Sequence, residues 1–493
     1  MEYKELPKAR SVKLNFIMNA ILKMSAFIFP LITFPYVSRV LGVAGNGKIA
    51  FAGSVVSYFT MFAQLGIPTY GIRACAQCRN NPRELNKIVQ ELLILNSVTV
   101  VISYVALAIC LMTVPRLMAD RLLIAVTSLS ILLGAVGMEW LFQALEQYSY
   151  ITIRNLSLKV VSIILMFMLV HKPEHYFVYG MISVVGTCGS NIFNFIYASR
   201  FLEHKPIGNY EFKRHIRPIL NFFLLSVSVS VYTSMDSLML GFLSTDMQVG
   251  FYAAAIKMKS IVVCTITALG GVLLPRMSNL LAEGKKDEFN SMIRKSFNFI
   301  FIVSISVTIY FIGMSKPVID LLAGAEYYPA VLPMQIISLT IIFIGLSNIT
   351  GMQILVPTGR EKLTTLSTVY GAITNLIVNA VAIPRLGAVG AAIGTVAAEG
   401  VVLFAQIIYI RKELKPMLQG IQYLKIILAN CVSTMSILVF GYFVVIDLPF
   451  LRLLINAILY FGVFGAILIL TKESFVQQYF EQIICKLIRK RRK

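Results

Sequence analysis

Apolar positions dominate this chain in long runs separated by short polar breaks, and the runs themselves do not alternate. VVSIILMFMLV (160–170) and NLIVNAVAI (375–383) keep apolar side chains on both odd and even positions. A membrane barrel strand would instead switch between polar and apolar at every second residue. Lipid leaves no partner for an unsatisfied backbone group, so only helices and closed barrels cross it. A helix needs about 20 apolar residues to do so. The pattern therefore predicts an all-α polytopic membrane protein. About fourteen spans are expected, near 14–38, 47–70, 89–113, 120–142, 151–171, 176–199, 217–242, 250–274, 295–314, 329–355, 363–384, 388–410, 424–446 and 451–471. The connections are short and contain no soluble domain.

Composition agrees, with 57% apolar and only 14% charged residues and a mean hydropathy of +0.78. A soluble domain would be nearer a quarter charged. The net charge of +21 would suit nucleic acid if it were clustered on one face, but it follows the connections instead. With the N-terminus in the cytoplasm, 33 Lys and Arg fall on the inner side and 8 on the outer, while Lys23, Lys257 and Lys259 lie within spans. That bias predicts cytoplasmic N- and C-termini. The first apolar run starts near Leu14, is too long for a signal-peptide core and has no small-residue cleavage site after it, so the N-terminus is expected to be retained. The tail ICKLIRKRRK (484–493) suits anionic inner-leaflet lipid. Of the seven cysteines only Cys75 and Cys78 have CxxC spacing. With no second pair or nearby histidines, two reduced cysteines are expected rather than a metal or redox site.

An internal repeat is readable by eye. Gly47, Ala50, Ala52, Ser57 and Arg73 recur 203 residues later as Gly250, Ala253, Ala255, Ser260 and Arg276. An offset of six helices preserves membrane orientation, as in transporters built from parallel repeats with the site between halves. The expected layout is an N-terminal lobe (1–210, spans 1–6), a C-terminal lobe (211–415, spans 7–12), and spans 13–14 with a basic tail (416–493).

Polar residues inside the spans are candidate functional groups, since charge facing lipid costs at least about 2.5 kcal/mol. Asn15, Asn19 and Lys23 share one helix face. Ser226, Ser230, Thr233 and Ser237 form a stripe beside Asp236, span 8 offers Lys257, Ser260, Cys264 and Thr267, and span 11 offers Thr368, Asn375 and Asn379. Such stripes suit a water-filled cavity. Helix packing competes for the hydroxyls, snorkelling for Lys23 and Lys257, and a structural ion pair for Asp236. Glu139 and Glu399 are the other acids at or near membrane depth. A cavity carrying lysines suits an anionic, phosphate-bearing substrate. The acids would bind a coupling H+ or Na+, or balance the lysines.

The blocks at 29–73 (FPLITFPYVSRVLG…GIPTYGIR), 139–155 (EWLFQALEQYSYITIRN), 231–258 (VYTSMDSLMLGF…AAAIKM), 274–289 (LPRMSNLLAEGKKDEF) and 358–395 (TGREKLTTLS…GAAIGT) resemble the bacterial lipid-linked oligosaccharide (Wzx-like) flippases. These are polysaccharide transporters of the superfamily that also holds multidrug exporters and the lipid II flippase. The resemblance covers most of the chain in the family's order.

It implies two six-helix lobes around a central cavity plus two C-terminal helices. Cargo would be an undecaprenyl-diphosphate-linked glycan moved from the cytoplasmic to the periplasmic leaflet of the inner membrane, for O-antigen, capsule or exopolysaccharide. A polysaccharide polymerase and a chain-length regulator would be partners. Lys23 and Lys257 then become the candidates for the diphosphate or acidic sugars, with Arg39 at the outer mouth, Arg154 near the inner mouth, and Asn19 on the Lys23 face. The lipid II branch carries cavity arginines on helices 1, 2 and 8. Helix 2 here, Ile49 to Tyr70, has no Lys or Arg, which argues against lipid II as cargo.

Two other functions compete. A cation-coupled multidrug or metabolite exporter of the same superfamily would favour acids over lysines in its cavity. A membrane-embedded polymerase or ligase would need a large outer loop and a catalytic constellation. Every outer connection is short, and the four histidines (His171, His175, His204 and His215) are expected in connections, so no enzyme activity and no cofactor beyond a coupling ion is expected.

Overall fold

The computed structural model describes residues 11–202 and 206–478; His204 and the basic tail 484–493 lie outside them. All described regular structure is helical. The chain divides into two compact units, 1–253 and 254–493.

The first unit opens with α1 (Val12–Gln64), which Ser11 caps by accepting from the Leu14 N–H. A straight helix of 53 residues would be far longer than a bilayer is thick. The helix breaks at Gly42, whose φ of 67° is the left-handed conformation glycine permits. Asn46 Nδ2 donates to the Val37 carbonyl nine residues back, at 3.4 Å, which a straight helix forbids. Helix α1 is thus a hairpin of two spans. Then come α2 (Ile67–Gln77) and α3 (Pro82–Thr113). The start of α3 reads directly from Asn81-Pro82-Arg83-Glu84: the Asn81 side chain accepts from the Glu84 N–H, with proline at the first helical position.

The fourth span is built from pieces: after α4 (Pro115–Ala119) come α5 (Arg121–Thr127), α6 (Leu129–Val136) and α7 (Glu139–Ala144). Its breaks free backbone carbonyls that lipid could not satisfy. Tyr104 donates to the Ser128 carbonyl at 2.7 Å, and Asn194 Nδ2 to the Gly137 carbonyl at 2.6 Å. Helices α8 (Tyr148–Leu169), α9 (Tyr176–Val184), α10 (Asn191–Ala198) and α11 (Lys213–Leu243) follow, with a widened turn at Val185–Gly189 between α9 and α10. Helix α12 (Asp246–Ala282) contains the boundary between the units. Close to its start, Gly250 packs directly against Val43 of α1.

A polar network ties α3 to α11. The buried Glu91 carboxylate accepts from Arg214 Nη2 and meets His215 Nε2, each at 2.7 Å, and it takes the Glu211 N–H at 2.6 Å. The Tyr70 hydroxyl closes the other side of the His215 ring at 2.7 Å. His215 is therefore not in a connection, as expected from the sequence, but in the first turn of α11 with 1% of its surface exposed. Sequence spacing could not reveal this, because Glu91 lies 124 residues away.

The second unit contains the remainder of α12 and then α13 (Lys286–Gly313), α14 (Ser315–Leu322), α15 (Val331–Ser338), α16 (Thr340–Asn348), α17 (Glu361–Leu386), α18 (Ala388–Leu418), α19 (Tyr423–Phe443) and α20 (Pro449–Leu470). The small-residue stretch GAVGAAIGT explains the α17–α18 pair. A Cβ on Gly390 would meet the Ala382 carbonyl at 2.5 Å, and one on Gly394 the Asn379 Oδ1 at 2.0 Å. Asn375 and Asn379, which the sequence placed on a cavity stripe, are buried, and Asn379 packs against α18.

Twelve helical stretches among the described residues are long and apolar enough to cross a membrane. Folding α1 at Gly42 divides the first into two, and the 31 residues of α11 add another, close to the fourteen expected. Many large apolar side chains face outward, among them Phe16, Met112, Leu424 and Tyr442. In water so much exposed apolar surface would drive association; in lipid it is the solvated face. The chain is a multi-pass membrane protein.

Candidate functional site

The first unit holds a half-open cavity of about 560 Å³ walled by the second half of α1, the start of α2, the broken fourth span and the α9–α10 turn. The break at Gly137-Met138 places Glu139 in the first turn of α7, where the helix dipole favours a carboxylate. Met138 takes a left-handed φ of 42° to make that turn. Ten of the eighteen lining residues carry a hydroxyl, amide or carboxylate group, and none is Lys or Arg.

Glu139 is the lining carboxylate, and its charge is already balanced. Arg154 Nη2 donates to its Oε2 at 3.1 Å, and Gln143 Nε2 to its Oε1 at 3.2 Å. Arg154 is 6% exposed on α8, lies 5.6 Å from the Tyr150 ring centre, and donates also to Asn155 at 3.2 Å. Its Nε and Nη1 have no hydrogen-bond partner among the described residues. A buried guanidinium is costly unless paired, so the Glu139 carboxylate is what holds it inside.

The remaining sequence-predicted residues are dispersed. Lys23 and Arg39 are exposed on α1, with Arg39 Nη1 donating to the Pro35 carbonyl at 2.7 Å. Asn19 and Lys257 are half-buried, on α1 and α12. None of the four lines the cavity, nor does Arg154. Asp236 is buried on α11 and accepts from the Tyr252 hydroxyl. Glu399 is buried on α18. In the Asp236 stripe, the side chains of Ser230 and Thr233 lie outside those described.

Three groups escaped the sequence reading. Gln64 and Gln143 were overlooked because uncharged amides near span ends look like ordinary boundary residues. Lys159, counted with Arg154 on the inner side of the charge bias, lies on α8 itself. It donates to Ser25 Oγ at 2.9 Å and sits 5.3 Å from the Phe29 ring centre. Its position eight residues inside the expected fifth span was the available signal.

At one end of the unit an ionic clamp joins α4, α11 and α12. Arg116 Nε donates to the Gly241 carbonyl at 2.7 Å, Nη1 to Asp120 at 3.1 Å, and Nη2 to Asp246, while its guanidinium lies 4.4 Å from the Phe51 ring centre. Lys48 adds an ion pair to Asp120 at 3.2 Å.

Comparison with known proteins places these features in a lineage. Residues 12–281 match the family described as polysaccharide biosynthesis protein. A Shigella dysenteriae protein named as an O-antigen transporter is 27% identical over 369 residues, covering 74% of this chain and 91% of its own length. An Escherichia coli (strain K12) protein named likewise is 21% identical over 409 residues, covering 82% and 97%. In fold, the chain is similar to the lipid II flippase MurJ in an inward closed conformation, with a TM-score of 0.74 at 15% identity, over 95% of this chain and all of that one.

Proposed function

Because this chain belongs to the polysaccharide biosynthesis protein family, we infer that it is a flippase for lipid-linked oligosaccharide in surface-polysaccharide assembly. The observation that carries this reading is the extent of the family match. It spans α1 to α12, and so includes the polar cavity, the Arg116 clamp and the Gly250 contact. The membrane would be the bacterial inner membrane with both termini cytoplasmic, as the inner-side excess of Lys and Arg supports.

A flip must carry a sugar and two phosphates through hydrocarbon, where each unpartnered polar group costs several kcal/mol. Fixed polar side chains replace the lost hydration, and the polyprenyl tail stays in lipid. In this account Lys23 and Lys257 receive the undecaprenyl diphosphate, Asn19 lies on the same helix face as Lys23, and Arg39 and Arg154 serve the outer and inner mouths. Asp236 and Glu399 are the groups for a coupling H+ or Na+. Glu139 balances Arg154 and is not free to couple an ion. Release to the outer leaflet would hand the glycan to a polymerase and its chain-length regulator. The relatives are named as transporters, which supports translocation rather than catalysis.

The reading is tested in a strain lacking the protein. Surface polymer should disappear while lipid-linked repeat unit accumulates on the cytoplasmic leaflet. Full display without accumulation would refute it, and transport of small organic cations but not of the glycolipid would favour the multidrug-exporter alternative.

A further inference from the structure

The cavity of the first unit sets hydroxyl and amide groups, and the paired Glu139, into a largely apolar wall that also carries Trp140, and this sets the chemistry of its ligand. A phosphate site needs Lys, Arg or a cluster of free N–H groups, and no Lys or Arg lines this wall. A cation site needs an available carboxylate, and both oxygens of Glu139 are engaged. What remains is hydrogen-bonding capacity of both kinds. Asn191 is 9% exposed, lines the cavity, and its amide makes no hydrogen bond to another described residue. Gln64 also lines the cavity, beside Gly134 as Asn191 is beside Gly137, and is likewise without a hydrogen-bond partner among the described residues. The Thr60 hydroxyl donates to the Val56 carbonyl at 2.8 Å and the Ser130 hydroxyl to the Thr127 carbonyl at the end of α5 at 2.7 Å. Their oxygens are left as acceptors.

Two unused amides facing several hydroxyl acceptors match a ligand that donates and accepts at many positions around a compact ring. The volume falls within the roughly 300–1,000 Å³ of small-molecule sites. We propose that this cavity is a subsite for an uncharged sugar of the cargo, with Gln64 and Asn191 as its selecting groups, separate from the lysines that meet the diphosphate. The proposal rests on the flippase reading and adds where the neutral part of the glycan is held. Water alone would satisfy the same groups, and the experiment distinguishes that case.

Trp140 is the chain's single tryptophan and lines the cavity, so its fluorescence reports occupancy. The full-length protein in nanodiscs is titrated with undecaprenyl diphosphate bearing one N-acetylglucosamine, and separately with undecaprenyl diphosphate alone. The sugar-bearing lipid is expected to shift Trp140 emission saturably and to bind more tightly than the bare lipid, which leaves emission unchanged. Gln64→Ala with Asn191→Ala should weaken the sugar-bearing lipid about tenfold, the equivalent of one to two hydrogen bonds, without changing affinity for the bare lipid. Equal affinity and equal emission change for the two lipids would overturn the subsite while leaving the flippase reading intact, with the cavity holding water only. Binding of neither lipid would overturn both. Should the double variant fail to fold, the comparison of the two lipids on the wild-type protein still decides.

Discussion

Gly47 of α1 and Gly250 of α12 touch across a reciprocal contact. A Cβ on Gly47 would fall 1.7 Å from the Asp246 carbonyl oxygen and 3.1 Å from the Gly250 nitrogen. One on Gly250 would fall 2.3 Å from the Val43 carbonyl oxygen. Residues 43 and 246 are related by the same 203-residue offset as the two glycines, so each repeat copy touches the other through equivalent positions. Backbone oxygen cannot yield as a flexible side chain would, so any side chain at either glycine forces the helices apart.

Gly47→Ala and Gly250→Ala are each expected to abolish surface glycan display, because the closed packing of these helix ends becomes inaccessible. Gly462→Ala, on α20 with nothing within 4 Å of its added Cβ, is the control. It should match wild type, with stability raised by about 0.5–1 kcal/mol from the better helix propensity. Glycan immunoblots with protein-level blots make the comparison.

Arg154→Ala should destabilise the protein by about 1–3 kcal/mol, since it removes the charge partner of Glu139, whose side chain is 35% exposed and stays partly solvated. Combining it with Glu139→Gln removes the stranded charge and should recover part of the loss. Thermal unfolding in detergent for the two single variants and the double variant gives the coupling; strict additivity would mean that the pair does not interact.

Asp236→Asn keeps an oxygen able to accept from Tyr252 but removes the charge. Transport is expected to fall with protein level unchanged, since a coupling ion needs the carboxylate. Tyr252→Phe should leave coupling in place and lower stability by about 1 kcal/mol, the worth of one hydrogen bond. Unaltered transport in Asp236→Asn would assign the acid a structural role.

Lys23→Ala and Lys257→Ala should each lower surface glycan without lowering protein level. Wild-type display from both would show that these side chains only place their ammonium groups at the membrane interface.

The span map was legible because hydropathy and length act locally, although the expected third span begins near 89 whereas the Asn81-Pro82 cap starts α3 at Pro82. The repeat was legible for the same reason as far as Gly47 and Gly250, although only the fold shows that they meet. The cavity was not. Gln64, Asn191 and Glu139 come from three separate stretches, and nothing in their local sequence distinguishes an amide with a partner from one without. Nor does spacing show that Glu139 is neutralised from α8. Of the two roles expected for it, we propose that this pairing favours charge balancing over ion coupling.

Translocation is measured directly with full-length protein reconstituted in liposomes that carry undecaprenyl-diphosphate-linked repeat unit in both leaflets. A membrane-impermeant oxidant then attacks exposed sugars. Oxidation in protein-containing vesicles is expected to proceed past the outer-leaflet share toward all of the glycolipid, while protein-free vesicles stop at that share. Identical plateaus in the two preparations, with the protein folded and inserted, would contradict it.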